Sequence, residues 1–236
     1  MGKKQLFNLI VFILFNRKEI DMIDAIEFTP KVGMNVFMLE FFIPAGYYRQ
    51  YYNHNYNQMN RNPEPVSDNQ ILQWKRQCEA EISKRGLMFH DIGHGWTSAP
   101  YGLNATGWGK KFEGKIDEEL KNALALYNGE RKFFHDSPIK TQLCYSNPGV
   151  MEHVTDFAVE YCRKNPHIHY LSFGMGDGGR NHCECEECRK KYPSDHYVDM
   201  LNMLDKKLEK AGLPTKIKFS VYADTLFAPK QEKLRD

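Results

Sequence analysis

Repeated βα units in a parallel α/β fold are what this sequence predicts, and three observations carry the prediction. Short apolar runs alternate with longer segments whose apolar residues recur at helical period, the pattern of strands joined by crossover helices. The 236 residues, 42% hydrophobic and 26% charged, suffice for one sizeable core and lie far from disordered or collagen-like composition. The 17 Gly and 11 Pro show no repeat.

Residues 6–15 form the first apolar run. Lys3 and Lys4 ahead of it imitate a signal peptide, but no small-residue cleavage site follows, and ten residues are too few to span a bilayer. The run is therefore read as a buried strand, and a cytoplasmic location is favoured over a secreted one. Asn16 caps the next helix with Glu19 reaching back to it; Ile20, Ile23 and Ile26 face the sheet, and the helix is expected to stop before Pro30. Residues 34–41 are the second strand, followed by a loop rich in tyrosine: Tyr47, Tyr48, Tyr51, Tyr52 and Tyr56.

Ser67 with Gln70 opens the second helix, whose Ile71, Trp74, Cys78 and Ile82 share a face, and Gly86 suits its C-terminal cap. Residues 87–90 are the third strand. After a loop through Gly95, Gly107 and Gly109, a helix lined by Ile116, Leu120, Ala123, Leu124 and Tyr127 is expected to end at Gly129. Residues 139–145 read as the fourth strand. Asn147-Pro148 starts a helix burying Val150, Val154, Phe157, Ala158 and Tyr161, which ends at Asn165-Pro166. Residues 169–174 are the fifth strand, Ser194 caps a helix carrying Tyr197, Leu201, Leu204 and Leu208, and residues 217–222 are the sixth.

Six units against the eight of a closed barrel describe a (β/α) TIM-type barrel that is incomplete: a single domain over residues 1–236, truncated at its C-terminus. The first and sixth strands are then open edges, suited to pairing in a homodimer. A net charge of +2 carries no footprint for nucleic acid or for an anionic membrane.

In such folds ligands bind at the carboxyl ends of the strands, and those positions are polar here. Glu40 ends the second run; His90, Asp91, His94 and Trp96 follow the third; Tyr145 follows the fourth, Asp177 and Arg180 the fifth, Tyr222 and Asp224 the sixth. Carboxylates converging with aromatic faces are what glycoside hydrolysis needs, so Asp177, Asp91, Glu40 and Asp224 are the catalytic candidates. His90, His94, Trp96, Tyr145, Arg180 and Tyr222 are the candidates for binding sugar. A strand-end carboxylate can equally cap a helix or hold a loop, but Asp177 stands among Gly174, Gly176, Gly178 and Gly179, which would let backbone approach a ligand closely.

Cys183, Cys185 and Cys188, beside His182, form the densest ligand spacing in the chain. Zinc, with His182 or a distant residue as fourth ligand, is one reading; free reduced thiols are another, and a disulfide in an oxidising compartment a third. Cys78, Cys144 and Cys162 lie in apolar surroundings and read as core.

The stretch Gly86-Leu87-Met88-Phe89-His90-Asp91-Ile92-Gly93-His94-Gly95-Trp96-Thr97 carries a resemblance, together with Gly176-Asp177-Gly178-Gly179 and Cys183-Glu184-Cys185-Glu186-Glu187-Cys188. Pro193-Ser194-Asp195-His196-Tyr197 and Tyr222-Ala223-Asp224 fit it too. From about Glu19 onward the chain resembles an uncharacterised bacterial family under a domain-of-unknown-function label, grouped with TIM-barrel glycoside hydrolases. The resemblance implies a carbohydrate-active barrel distantly similar to α-glucuronidases and β-hexosaminidases. The expected function is a glycoside hydrolase-like domain acting on an oligosaccharide or glycoside, with no cofactor required beyond a structural zinc. The alternative is a non-catalytic carbohydrate-binding barrel with a zinc-stabilised cysteine loop.

Overall fold

The structure, a computed structural model, describes residues 10–11, 19–40, 52, 62–103 and 111–235. The chain divides into two compact units, one of Met1–Ile92 with His167–His169 and one of Gly93–Pro166 with Tyr170–Asp236. Most of the first apolar run and of the tyrosine loop lies outside the described residues, as do Gly107 and Gly109. Among the described residues no helix is long and apolar enough to cross a membrane.

The first unit is a parallel βαβαβ arrangement. Strands β1 (Ile10–Val11), β2 (Val36–Glu40) and β3 (Met88–Ile92) pair in sequence order, with Val36 opposite Ile10 and Met88 opposite Val36. Helices α1 (Glu19–Lys31) and α2 (Asp68–Lys84) make the crossovers and pack on each other. Apolar burial explains the arrangement: Ile26, Val36, Phe37, Ile71, Cys78, Ile82 and Phe89 are all closed to solvent. Ser67 caps α2 as its sequence predicts, its Oγ accepting from the Gln70 amide at 3.2 Å.

Helix α1 does not stop before Pro30; it runs to Lys31. Pro30 has no N–H to give the Ile26 carbonyl, so the last turn loses one hydrogen bond and still continues to Lys31. The real stop is Gly33 at φ +78°, with Gly33 N–H on the Pro30 carbonyl (3.1 Å) and Met34 N–H on that of Thr29 (3.2 Å). This is a Schellman motif, whose left-handed residue glycine adopts without a Cβ penalty. The C-terminal ends of α2 and of the last helix repeat the same pair of bonds.

The second unit begins with Trp96 at its core, among Phe157, Tyr161 and Phe173. A short helix α3 (Glu118–Ala123) replaces the longer one expected up to Gly129. Leu126–Tyr127 (β4) and Glu130–Arg131 (β5) form an antiparallel hairpin instead, because Asn128 and Gly129 both take positive φ, the two-residue turn that Asn-Gly favours. Helices α4 (Pro148–Lys164) and α5 (Pro193–Lys210) pack together, and β6 (Tyr170–Ser172) pairs in parallel with β7 (Lys216–Lys218). The α4 cap is the predicted one, with Asn147 Oδ1 accepting from Gly149 N–H at 3.0 Å. For α5 the cap position is Tyr192 rather than Ser194, which is buried inside the first turn.

The fourth strand is not formed. Pro138–Lys140 is a turn of 3-10 helix, and Leu143 makes a single antiparallel bridge to Leu124. Its carbonyls are engaged elsewhere: that of Ile139 accepts from Asp177 N–H at 2.9 Å, that of Lys140 from Asn181 Nδ2 at 2.6 Å, and that of Gln142 from Ala125 N–H at 3.0 Å. A segment whose acceptors serve a loop and a hairpin cannot also serve a parallel ladder. The fold is thus mixed α/β, with parallel strands in each unit.

Candidate functional site

The segment 138–142 is the floor on which the glycine-rich loop rests. Gln142 holds Gly176 from both sides, its Nε2 donating to the Gly176 carbonyl (2.8 Å) and its Oε1 accepting from the Gly176 amide (3.1 Å). A Cβ built on Gly176 would stand 2.4 Å from the Thr141 carbonyl oxygen, and one on Gly178 would stand 2.7 Å from that of Lys140. The glycines therefore allow a close approach as the sequence suggests, but to the chain's own backbone. Asp177, between them, is held by its amide and projects from a rigid base.

Asp177 lies just beyond the carboxyl end of β6, and Tyr222 and Asp224 lie just beyond that of its parallel neighbour β7. Tyr222 Oη donates to Asp177 Oδ1 at 3.0 Å, and His94 Nε2 stands 3.7 Å from the same oxygen. Burial, and then the Asp177 charge beside it, push the Tyr222 hydroxyl well above the ordinary phenol range, so it remains a donor. Both Asp177 and His94 are about one-third exposed or less, 26% and 35%. A carboxylate that keeps a phenol donor and an imidazole within reach can bind hydroxyl groups and exchange a proton with them.

Asp224 is differently employed. Both its oxygens accept from the Arg180 amide (3.0 and 2.8 Å), and His182 Nδ1 is 3.5 Å from Oδ2. Arg180 has φ +57° and Ala223 φ +50°, and the carboxylate fastens the two left-handed turns together. His182 is thereby directed to Asp224.

Asp91, in the first unit, is closed to solvent and ion-paired with Lys75, Nζ lying 3.0 and 3.1 Å from its two oxygens. Glu79 stands 3.7 Å from the same Nζ and 3.2 Å from His167 Nε2. Burial pushes the Glu79 carboxyl up, but His167, Lys75 and Arg76 outweigh it and hold it below its usual range. His90 is buried on β3, and Glu40 ends β2, its side chain lying outside the described residues. Trp96 is 1% exposed and donates Nε1–H to the Ser172 carbonyl at 2.9 Å, so its ring is core. Tyr145 is buried too, its hydroxyl on Gln142 Oε1 at 2.8 Å, and it supports the loop floor from beneath.

A second constellation joins four sulfurs. Cys144, Cys183, Cys185 and Cys188 lie with their Sγ atoms all within 4.8 Å of one another and could together hold a metal ion. Cys144 had read as core because apolar residues precede it. The available signal was its place at the end of a loop next to the Asn147 cap, where Cys78 and Cys162 ride on helix faces. Cys144 is held far below the ordinary thiol range by hydrogen bonds from Cys183 and Cys188, while donating to Cys144 and Cys183 pushes the Cys188 thiol up.

Residues 44–236 match the family described as "Domain of unknown function (DUF4838)". The chain belongs to this family. A domain of unknown function is what the resemblance implies. No curated protein matches the chain. Two solved structures of a debranching enzyme from Nostoc punctiforme are similar to it. One is 12% identical over 87% of this chain and 39% of that one, with a TM-score of 0.40. The other, the native form, is 10% identical over 86% and 38%, with a TM-score of 0.39. The chain thus spans about two-fifths of those proteins.

Proposed function

We propose that this chain is a glycoside hydrolase-like (β/α) module that engages carbohydrate at Asp177, Tyr222 and His94. One observation carries the reading: Asp177 and Tyr222 stand just past the carboxyl ends of neighbouring parallel strands and are hydrogen-bonded to each other at 3.0 Å. Asp177 is the acid or nucleophile, Tyr222 steadies its charge, and His94 and Arg180 bind sugar hydroxyls. Asp224 positions Arg180. Hydrolysis requires a second carboxylate as well. Acid and base chemistry of this kind needs no cofactor.

Binding without hydrolysis is the second reading, favoured by the fate of the other carboxylates: Asp91 is sealed against Lys75 and Asp224 is committed to a backbone amide. The test is titration of the full chain with a panel of neutral and acidic mono- and oligosaccharides, followed by NMR, alongside assays on aryl glycosides. Saturable binding lost in Asp177→Asn and weakened in Tyr222→Phe is expected. If turnover is found, Asp177→Asn should lower it by about 10²- to 10⁴-fold with folding retained. Binding unchanged in both variants, or no binding across the panel, would refute the site.

A further inference from the structure

We propose that Cys144, Cys183, Cys185 and Cys188 form a tetrathiolate site for zinc, a structural metal centre in which Cys144, not His182, is the fourth ligand. The sulfur spacing is the first argument. A tetrahedron with metal–sulfur bonds of about 2.3 Å has sulfur–sulfur edges of about 3.8 Å. Cys144 Sγ lies 3.8 Å from that of Cys185 and 3.9 Å from that of Cys188, and all four cysteines are free of disulfides. Apolar packing of thiols has no reason to converge on those edges from two distant parts of the chain.

The surroundings are the second argument. Four thiolates around a divalent ion leave two negative charges, which a buried site must offset. Three backbone amides point at the sulfurs: Leu126 N–H at Cys183 (3.2 Å), Ser146 N–H at Cys188 (3.4 Å) and Cys188 N–H at Cys185 (3.4 Å). The Arg131 guanidinium reaches Cys144 Sγ at 3.8 Å, while Cys183 and Cys188 are closed to solvent. Amide donors and a cation directed at sulfur suit thiolates better than thiols, which bring their own protons. His182, by contrast, is half-exposed and faces Asp224.

Three pieces of the second unit would meet at the ion: the loop before α4, the β4–β5 hairpin through Leu126 and Arg131, and the loop that also carries Asp177. Binding replaces the remaining thiol protons with the metal, so no oxidant is involved. The inference stands on the sulfurs alone and does not depend on any carbohydrate being bound.

The experiment is metal analysis of the full chain purified without chelator, then replacement of the ion by Co²⁺. About one zinc per chain is expected, and the cobalt form should show thiolate-to-metal charge transfer with the strong visible bands of tetrahedral coordination. Cys144→Ser should weaken zinc binding by about tenfold or more and reduce the charge-transfer band, whereas His182→Ala should leave both unchanged. Should Cys144→Ser fail to fold, organomercurial titration of the unaltered chain answers instead, releasing zinc as four thiols are consumed. Absence of zinc and cobalt binding in the reduced chain would overturn the site. So would metal lost in His182→Ala and kept in Cys144→Ser.

Discussion

Replacing Lys75 by methionine should strongly destabilise the first unit. Lys75 is 2% exposed and faces two carboxylates, Asp91 at 3.0 Å and Glu79 at 3.7 Å, themselves 0% and 5% exposed. At an effective dielectric constant of about 20, an ion pair at such separations attracts by roughly 5 kcal/mol gross, most of which offsets the cost of leaving water. The net pair is therefore worth little, but its one-sided removal is costly. Methionine at position 75 fits the volume and takes from buried Asp91 its Lys75 cation, while Glu79 keeps Arg76 and His167, at about 3–5 kcal/mol. Asp91→Asn should cost less, about 1.5–3 kcal/mol, because Lys75 keeps Glu79. Lys75→Met with Asp91→Leu should recover much of the loss. Urea denaturation followed by a probe in the first unit measures all three. A Lys75→Met unfolding free energy within about 0.5 kcal/mol of the unaltered chain would refute the reasoning, because surface substitutions fall in that range. Full stability in Asp91→Asn would reopen the catalytic reading of that residue.

Three further outcomes are expected. Gly176→Ala, whose methyl would meet a backbone oxygen at 2.4 Å, should cost about 1–3 kcal/mol, while Gly179→Ala, with 3.5 Å to the Ala223 side chain, should be near neutral; thermal denaturation separates them. Asp195 is closed to solvent, which raises its pKa, but the amides of Gln231, Glu232 and Tyr192 outweigh burial and hold it low. Its folded value lies below its unfolded one, so its stabilisation is whole above about pH 4 and is lost as pH falls through the folded value; Asp195→Asn should flatten that acid limb of the stability profile. Asp224→Ala should free the left-handed turn at Arg180 and lower the second unit's stability by about 1–3 kcal/mol, read by the same denaturation, with Asp224→Asn costing less.

Elements governed by local rules were legible in the sequence. Ser67, Asn147 and Gly86 mark helix ends by side-chain and backbone chemistry that acts within four residues, and the structure uses them so. The strands ending at Glu40 and Ser172 follow from apolar runs that only a sheet can bury. Residues 139–145 misled because their apolar pattern says that they are buried but not where their carbonyls go, and those are claimed by Asp177 and Asn181 some forty residues later. Helical spacing ahead of Asn128-Gly129 reads as a helix ending at Gly129 and so hides the two-residue hairpin turn found there. At the candidate site Asp177 and Tyr222 were identifiable by position alone. That Trp96 is core, that Asp91 meets Lys75, and that Cys144 meets the other three cysteines are long-range facts, which no spacing within a single segment contains.

The last described residues lie along α5 as a strap made almost wholly of polar contacts. Gln231 and Glu232 donate to Asp195, Lys233 accepts from Asn202, and Arg235 reaches Asn202, Asp205 and Glu209. Such a seam has little apolar area to hold it shut, so it can open as a small cooperative unit while the helix beneath stays intact. Its amides at Gln231, Glu232 and Arg235 would exchange with solvent together and well before those of α5. Ionic strength would set the pace, since Lys191 bridging Asp199 and Glu232 and Arg235 between two carboxylates are screened where the Asp195 bonds are not. Opening would unzip from Arg235 inward, leaving Asp195 as the last closure to give way.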